Sequence, residues 1–227
     1  MQIDMRVMEL LSSKICHDLI SPVSAINNGV ELIEDIGGSV VDEAMKLIGD
    51  SAAHASRRLR LFRVAYGRAG SEENLPLRDV RQIAEQYLSV GKVALRWPDD
   101  QPAEALALHR GFLKTALNLV ILSEELLAYG GTVTLRRATE SEQVGCTFEI
   151  IGRNAQLAPN YQAALDGTAA VEELTPRTIQ AYVTGRLIEN FGLKLTHDQS
   201  VADRLELKLF VAASQSVVDS GSSFVAA

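Results

Sequence analysis

Apolar positions recur at helical spacing from about Asp4 to Asp35, with no internal breaker except Pro22, until Gly37-Gly38 stop the pattern. Ser39 is placed as the N-cap of a second helical stretch, Val40 to Tyr66. There Val41, Met45, Ile48, Ala52, Ala55, Leu59, Phe62 and Tyr66 alternate steps of four and three, the period of a coiled-coil-like seam. Gly67 and Gly70 end it. Two helices of about 40–45 Å joined by a short loop form a hairpin. A hairpin encloses no core of its own, so burial predicts that it packs against its own copy as a four-helix bundle, a homodimer.

After Ser71 the pattern changes. SEENLP reads as a polar linker. Helices are predicted over Leu77–Leu88, Gly111–Tyr129 and Thr178–Phe191. Short strands are predicted over Val93–Trp97, Thr132–Arg136, Thr147–Ile151, Leu193–Thr196 and Arg204–Phe210. This order predicts an α+β fold in which the hairpin is followed by an α/β sandwich, one sheet covered by helices on one face. The domain division is 1–70 for the hairpin, 71–212 for the sandwich and 213–227 for a flexible tail.

Composition narrows the function classes. The chain has 227 residues, 47% hydrophobic and 22% charged, so it can bury a core. Its formal charge of −7 argues against nucleic-acid binding, which needs a basic surface. Cys16 and Cys146 lie far apart, which suggests neither a disulfide framework nor a zinc site and fits a reducing cytoplasm. No apolar run suits a membrane helix, and acidic Asp4 and Glu9 interrupt the start, unlike a signal peptide. Arg57, Arg58, Arg60 and Arg63 cluster toward the end of the second helix, which suits the helix dipole.

The chemistry concentrates in Ser13-Lys14-Ile15-Cys16-His17-Asp18-Leu19-Ile20-Ser21-Pro22. Ile15, Leu19, Pro22 and Ile26 face the bundle, whereas His17, Ser21, Ser24 and Asn28 form a separate polar stripe. His17 therefore lies on an outer face. Pro22 removes a backbone hydrogen bond to the Asp18 carbonyl. An exposed imidazole with one free nitrogen is a nucleophile toward phosphorus. Asp18 is placed to hold the other nitrogen, Lys14 to offset charge on an incoming phosphoryl group, and Ser21 to hydrogen-bond to it. Cys16 reads as a packing residue, and His54, His109 and His197 as surface or structural residues.

HDLISP resembles the H-box of histidine-kinase dimerisation and phosphotransfer domains, and KICHDLISPVSAINNGVELI is similar to the ChpT histidine phosphotransferases of cell-cycle phosphorelays. The resemblance implies a dimeric hairpin followed by a domain of the histidine-kinase ATP-binding kind. That domain's nucleotide motifs are altered here. Asn118 stands at the first position of the N-box, but Leu122 replaces the second asparagine. The Asp-x-Gly-x-Gly box falls on Gly152-Arg153-Asn154-Ala155-Gln156, and TPRTIQ carries no glycine pair. Magnesium needs oxygen ligands, and phosphates need close backbone approach. A degenerate ATPase-like domain without ATP is therefore expected.

These readings predict a histidine phosphotransferase with His17 as phospho-acceptor and Asp18 as the orienting acid. Leu19, Ile20, Ser24, Asn28 and Arg57 are expected to dock the partner. The chain is expected to bind no cofactor or metal, Mg²⁺ coming with the partner receiver domain. The resemblance implies a CckA-like hybrid kinase receiver upstream and response regulators of the CtrA and CpdR kinds downstream. Two alternatives stay open: a receiver-binding adaptor that never carries phosphate, and a divergent histidine kinase.

Overall fold

The computed structural model describes residues 4–36, 38–67, 75–98, 106, 109–140 and 143–211. Helix α1 spans Met5–Asp35 and α2 Val41–Ala65, joined through a short 3-10 turn at Gly38–Val40. Then follow α3 (Leu77–Leu88), β1 (Val93–Arg96), α4 (Phe112–Leu126), β2 (Gly131–Glu140), β3 (Gln143–Ile151), α5 (Pro159–Asp166), α6 (Ile179–Asn190), β4 (Leu193–Asp198) and β5 (Arg204–Val211). The fold is mixed α and β, as expected. Four of the linker residues, 71–74, and the tail 213–227 lie outside the described residues.

Local chemistry accounts for the hairpin. The Asp4 carboxylate caps α1 by accepting from the Arg6 N–H at 2.8 Å. Pro22 is buried and α1 runs through it without interruption. At Gly29 the two helices come close: a Cβ there would lie 2.6 Å from Ile48 Cγ1 and 3.3 Å from the Ala44 carbonyl. Only glycine permits this approach without displacing α2. Helix α2 starts from Val40, which supplies no side-chain cap; the expected Ser39 cap rests on a side chain outside the described residues.

The heptad seam of α2 divides between two faces. Ile48, Ala55 and Phe62 are buried or half-buried within the chain, whereas Met45, Ala52 and Leu59 point outward. The spacing does not tell the α1-facing side from a second apolar face.

The sheet has the order β1-β2-β3-β5-β4, with β1 parallel to β2 and the remaining pairs antiparallel. Side-chain alternation gives it one covered face. Val133, Leu135, Phe148, Ile150, Leu205, Leu207 and Leu209 are fully buried. The intervening Glu149 is bridged by Arg136 and Arg204, each at 2.9 Å. Strands β2 and β3 extend well beyond the stretches predicted, because their outer ends carry polar residues that pair in register without apolar alternation. Helix α5 escapes prediction because it is one short segment, with Pro159 at its start and only Ala164 and Leu165 buried.

One apolar cluster runs from the hairpin into the sandwich. Leu61, Phe62, Val64 and Ala65 of α2 join Val80 of α3, Leu117 of α4 and Phe148 of β3, while Val7, Leu10, Leu11 and Ile15 of α1 pack against its edge. Arg6 adds two bonds to the carbonyls of Val171 and Leu174, at 3.1 and 3.0 Å. The base of the hairpin is thus part of the core, and His17 sits just past the last α1 residue that packs on it.

Candidate active site

His17 is 88% exposed, on the stripe with Ser21, Ser24 and Asn28, all exposed as the helical spacing predicts. Its Nδ1 faces Asp18 Oδ1 at 3.6 Å, a close approach longer than a hydrogen bond. Asp18 itself is turned toward the sandwich. Its other oxygen lies 3.7 Å from Lys14 Nζ and 3.5 Å from Arg58 Nη1. One carboxylate thus divides between the imidazole and two cations.

Lys14 does not stand beside the imidazole, where the sequence reading put it. It is mostly buried between the two units, ion-paired with Glu125 of α4. The physical reason is its flank of α1: Lys14 shares the Asp18 side, which meets α4, not the His17 side. Burial works to lower the Lys14 pKa, but the Glu125 carboxylate outweighs it and the net shift is upward. Glu125 is the weaker partner. Burial raises its pKa to about 7, because Lys14 offsets only part of the desolvation and Asp18 and Glu124 add repulsion.

Arg57 is the docking residue expected on α2. It is half-buried, and its Nε is enclosed without a hydrogen-bond partner. The next residue, Arg58, is the arginine that reaches the acid. Its Nε donates to His54 Nε2 at 3.1 Å, Nη2 lies 3.7 Å from Glu124, and its guanidinium stacks 5.3 Å over the Tyr87 ring. His54, read as a surface residue, is therefore an acceptor within this cluster. Burial, with the charges of Arg58 and Arg57, lowers its pKa and favours the neutral ring that can accept. The Tyr87 hydroxyl donates to Glu124.

Arg58, Glu124, Glu125 and Tyr87 come from three elements, and no sequence motif joins them. The one local signal is the acid pair Glu124-Glu125 ending an otherwise apolar helix. Of the expected docking residues, Ile20 is 61% exposed beside the polar stripe, and Leu19 is half-buried toward the bundle. Cys16 is exposed and so is not packed within the chain, whereas Cys146 is buried and its thiol pKa pushed upward.

The sandwich residues that align with nucleotide motifs are occupied by other bonds. Asn118 is fully buried, and its amide donates to the carbonyls of Ala65 and Lys114, each at 2.9 Å. Gln180 donates to Asn118 Oδ1 at 3.1 Å and accepts from the Tyr66 hydroxyl at 2.5 Å. Lys114 donates to the Gly67 carbonyl at 2.7 Å. Leu122 is buried in the core. Asn154 adopts φ 60°, the left-handed region that favours glycine, and its N–H donates to Asp203 Oδ1 at 2.7 Å. Among the described residues no group of three His, Cys, Asp or Glu side chains could hold a metal ion, and no helix is long and apolar enough to cross a membrane.

Residues 77–203 match the family described as histidine phosphotransferase C-terminal domain. The chain is 33% identical to the protein phosphotransferase ChpT of Brucella abortus (strain 2308) over 195 residues, 86% of this chain and 90% of that protein. It is also similar to the solved structure of a bacterial phosphotransferase, with 28% identity, a TM-score of 0.73, and coverage of 92% of this chain and 98% of the other.

Proposed function

The chain belongs to the ChpT-like histidine phosphotransferases, a family whose activity is phosphotransfer in a phosphorelay, and from that membership we propose that His17 is its phospho-acceptor. The observation that carries this assignment is an imidazole open to solvent on one side and backed by Asp18 on the other. A receiver domain carrying phospho-aspartate docks over the stripe of His17, Ser21, Ser24 and Asn28, with Ile20 as the apolar contact beside it. The Nε2 lone pair attacks phosphorus in line. The acyl P–O bond breaks, and its electron pair leaves with the partner's aspartate. Asp18 holds Nδ1–H and stabilises the positive charge that grows on the ring. The second half-reaction reverses these steps toward another receiver. Mg²⁺ arrives with the receiver, and no ATP is used.

Two observations support the finer parts. The bonds that occupy Asn118 and Gln180, and the apolar burial of Leu122, leave the sandwich poorly suited to magnesium and triphosphate, which favours a transferase over a kinase. Met45 and Leu59 are 57% and 52% exposed, and Val23 and Val30 are also exposed on α1, an apolar surface that a second copy would cover as a four-helix bundle. Receivers of the CckA, CtrA and CpdR kinds are the partners to try first, with cell-cycle control as the setting and the cytoplasm as the compartment.

The test is transfer of label from a purified, phosphorylated receiver of the CckA kind to the wild-type chain and to His17→Ala, without ATP. Acid-labile, alkali-stable label on the wild type alone supports the assignment. Binding without label on either protein would overturn it and favour an adaptor. Labelling by ATP alone would favour a kinase.

A further inference from the structure

Lys14 and Glu125 are an expensive way to join two packed bodies. An apolar pair of similar volume would hold them at no loss of stability, because a buried ion pair seldom recovers its desolvation cost. With Lys14 present, however, its ammonium lies next to Asp18 and needs a second anion to hold it back. Lys14 Nζ is ion-paired with Glu125 and stands 3.7 Å from Asp18 Oδ2, the oxygen that also faces Arg58 at 3.5 Å. The opposite oxygen faces His17 Nδ1. If Glu125 were neutral, the nearest anion for a largely buried Lys14 would be Asp18. Lys14 would close that gap and turn the carboxylate away from the imidazole.

We infer that Glu125 is a positioning residue for phosphotransfer: by holding Lys14 from the sandwich side, it keeps one Asp18 oxygen turned to His17 Nδ1. The inference rests on the reading of His17 as the phospho-acceptor. It assigns the sandwich a part in the chemistry that is separate from any docking of receivers. The other charged and titratable groups around Glu125 are Glu124 on the same helix, Asp18 on α1, Tyr66 after α2 and Tyr161 on α5. Of the groups facing Glu125, Lys14 is the cation paired with it, and Arg58 pairs with Glu124 and Asp18.

The experiment uses the full chain and phosphoramidate, a small donor that reaches His17 without receiver docking. The P–N bond of the donor breaks, ammonia leaves and the P–Nε2 bond forms. Four proteins are compared: wild type, Glu125→Gln, Glu125→Asp, and the double variant Lys14→Met/Glu125→Leu. The readouts are the rate of His17 phosphorylation, the ¹⁵N tautomer pattern of His17 by NMR, and the melting temperature. Glu125→Gln is expected to react about tenfold more slowly, less than the roughly 10²–10⁴-fold contribution of an acid–base group, because Asp18 is misplaced rather than removed. It should also lose the preference for Nδ1–H. Glu125→Asp should fall between it and the wild type, and carries the comparison alone if the glutamine variant does not fold. The double variant, with no ammonium to capture Asp18, should return to within about threefold of the wild-type rate.

A Glu125→Gln rate within twofold of wild type and an unchanged tautomer would overturn the inference. So would a slow rate that the double variant does not relieve, the signature of a purely structural clamp. Failure of wild-type His17 to accept phosphate would instead overturn the functional reading. The tautomer comparison would still report whether Glu125 governs the Asp18–His17 contact.

Discussion

Arg58 ties the phosphotransfer helix to the sandwich, and its removal is the most informative stability perturbation. Arg58→Ala deletes a hydrogen bond from a charged donor to His54 at 3.1 Å, stacking on Tyr87 at 5.3 Å, and ion pairs to Asp18 and Glu124 at 3.5 and 3.7 Å. The charged hydrogen bond contributes about 1.5 kcal/mol at the lower end of its range. The stacking adds about 0.5–1 kcal/mol. The two longer ion pairs are partly screened and add at most about 1 kcal/mol together. The expected loss is therefore about 3 kcal/mol. For a chain of this size that lowers Tm by roughly 6–12 °C. Arg58→Lys keeps the charge but loses the planar fork, so about half of the loss should remain. Urea denaturation at pH 7.5 measures both variants. A cycle with Asp18→Asn should show coupling above about 0.5 kcal/mol. An Arg58→Ala chain within about 0.5 kcal/mol of wild type, with no coupling to Asp18, would refute the view that this cluster fastens the two units.

Two further outcomes follow from packing and titration. Gly29→Ala puts a methyl group 2.6 Å from Ile48 Cγ1, and the forced separation of α1 and α2 should cost about 1–3 kcal/mol by urea denaturation. Glu125, with its pKa raised from 4.5 to about 7 by burial, binds its proton more tightly when folded. Its contribution is therefore fully present below about pH 4.5 and is lost as pH rises through about 7. Parallel denaturation series from pH 5 to 8.5 should show Glu125→Gln losing less stability than wild type over that span, with a difference in slope of at most about 1.4 kcal/mol per pH unit.

Much of the chemistry was legible in the sequence because it depends on one helix. His17, Ser21, Ser24 and Asn28 share a face by spacing alone, and the structure leaves all four exposed. Asp18 follows His17 directly, so the pairing of this acid with the imidazole is readable from sequence, although the partners of its second oxygen are not. The helical hairpin, the glycine breaks and the alternating strands of the sandwich are also local, since each pattern is set by backbone geometry within a few residues.

Only the tertiary structure decided what lies behind the acid. Lys14 sits on the same helix as His17, yet its partner is Glu125, more than a hundred residues away on a helix packed across the hairpin. Arg58 rather than Arg57 meets Asp18 because helix rotation against α3 and α4 selects one of two adjacent arginines, a choice their identity does not encode. Asn118 resembles a nucleotide ligand in sequence, and its bonds to Ala65 and Gln180 appear only when α2, α4 and α6 converge. Side-chain type and spacing determine what a helix face offers; the element packed against that face determines which of its charges are shared, neutralised or left free for chemistry.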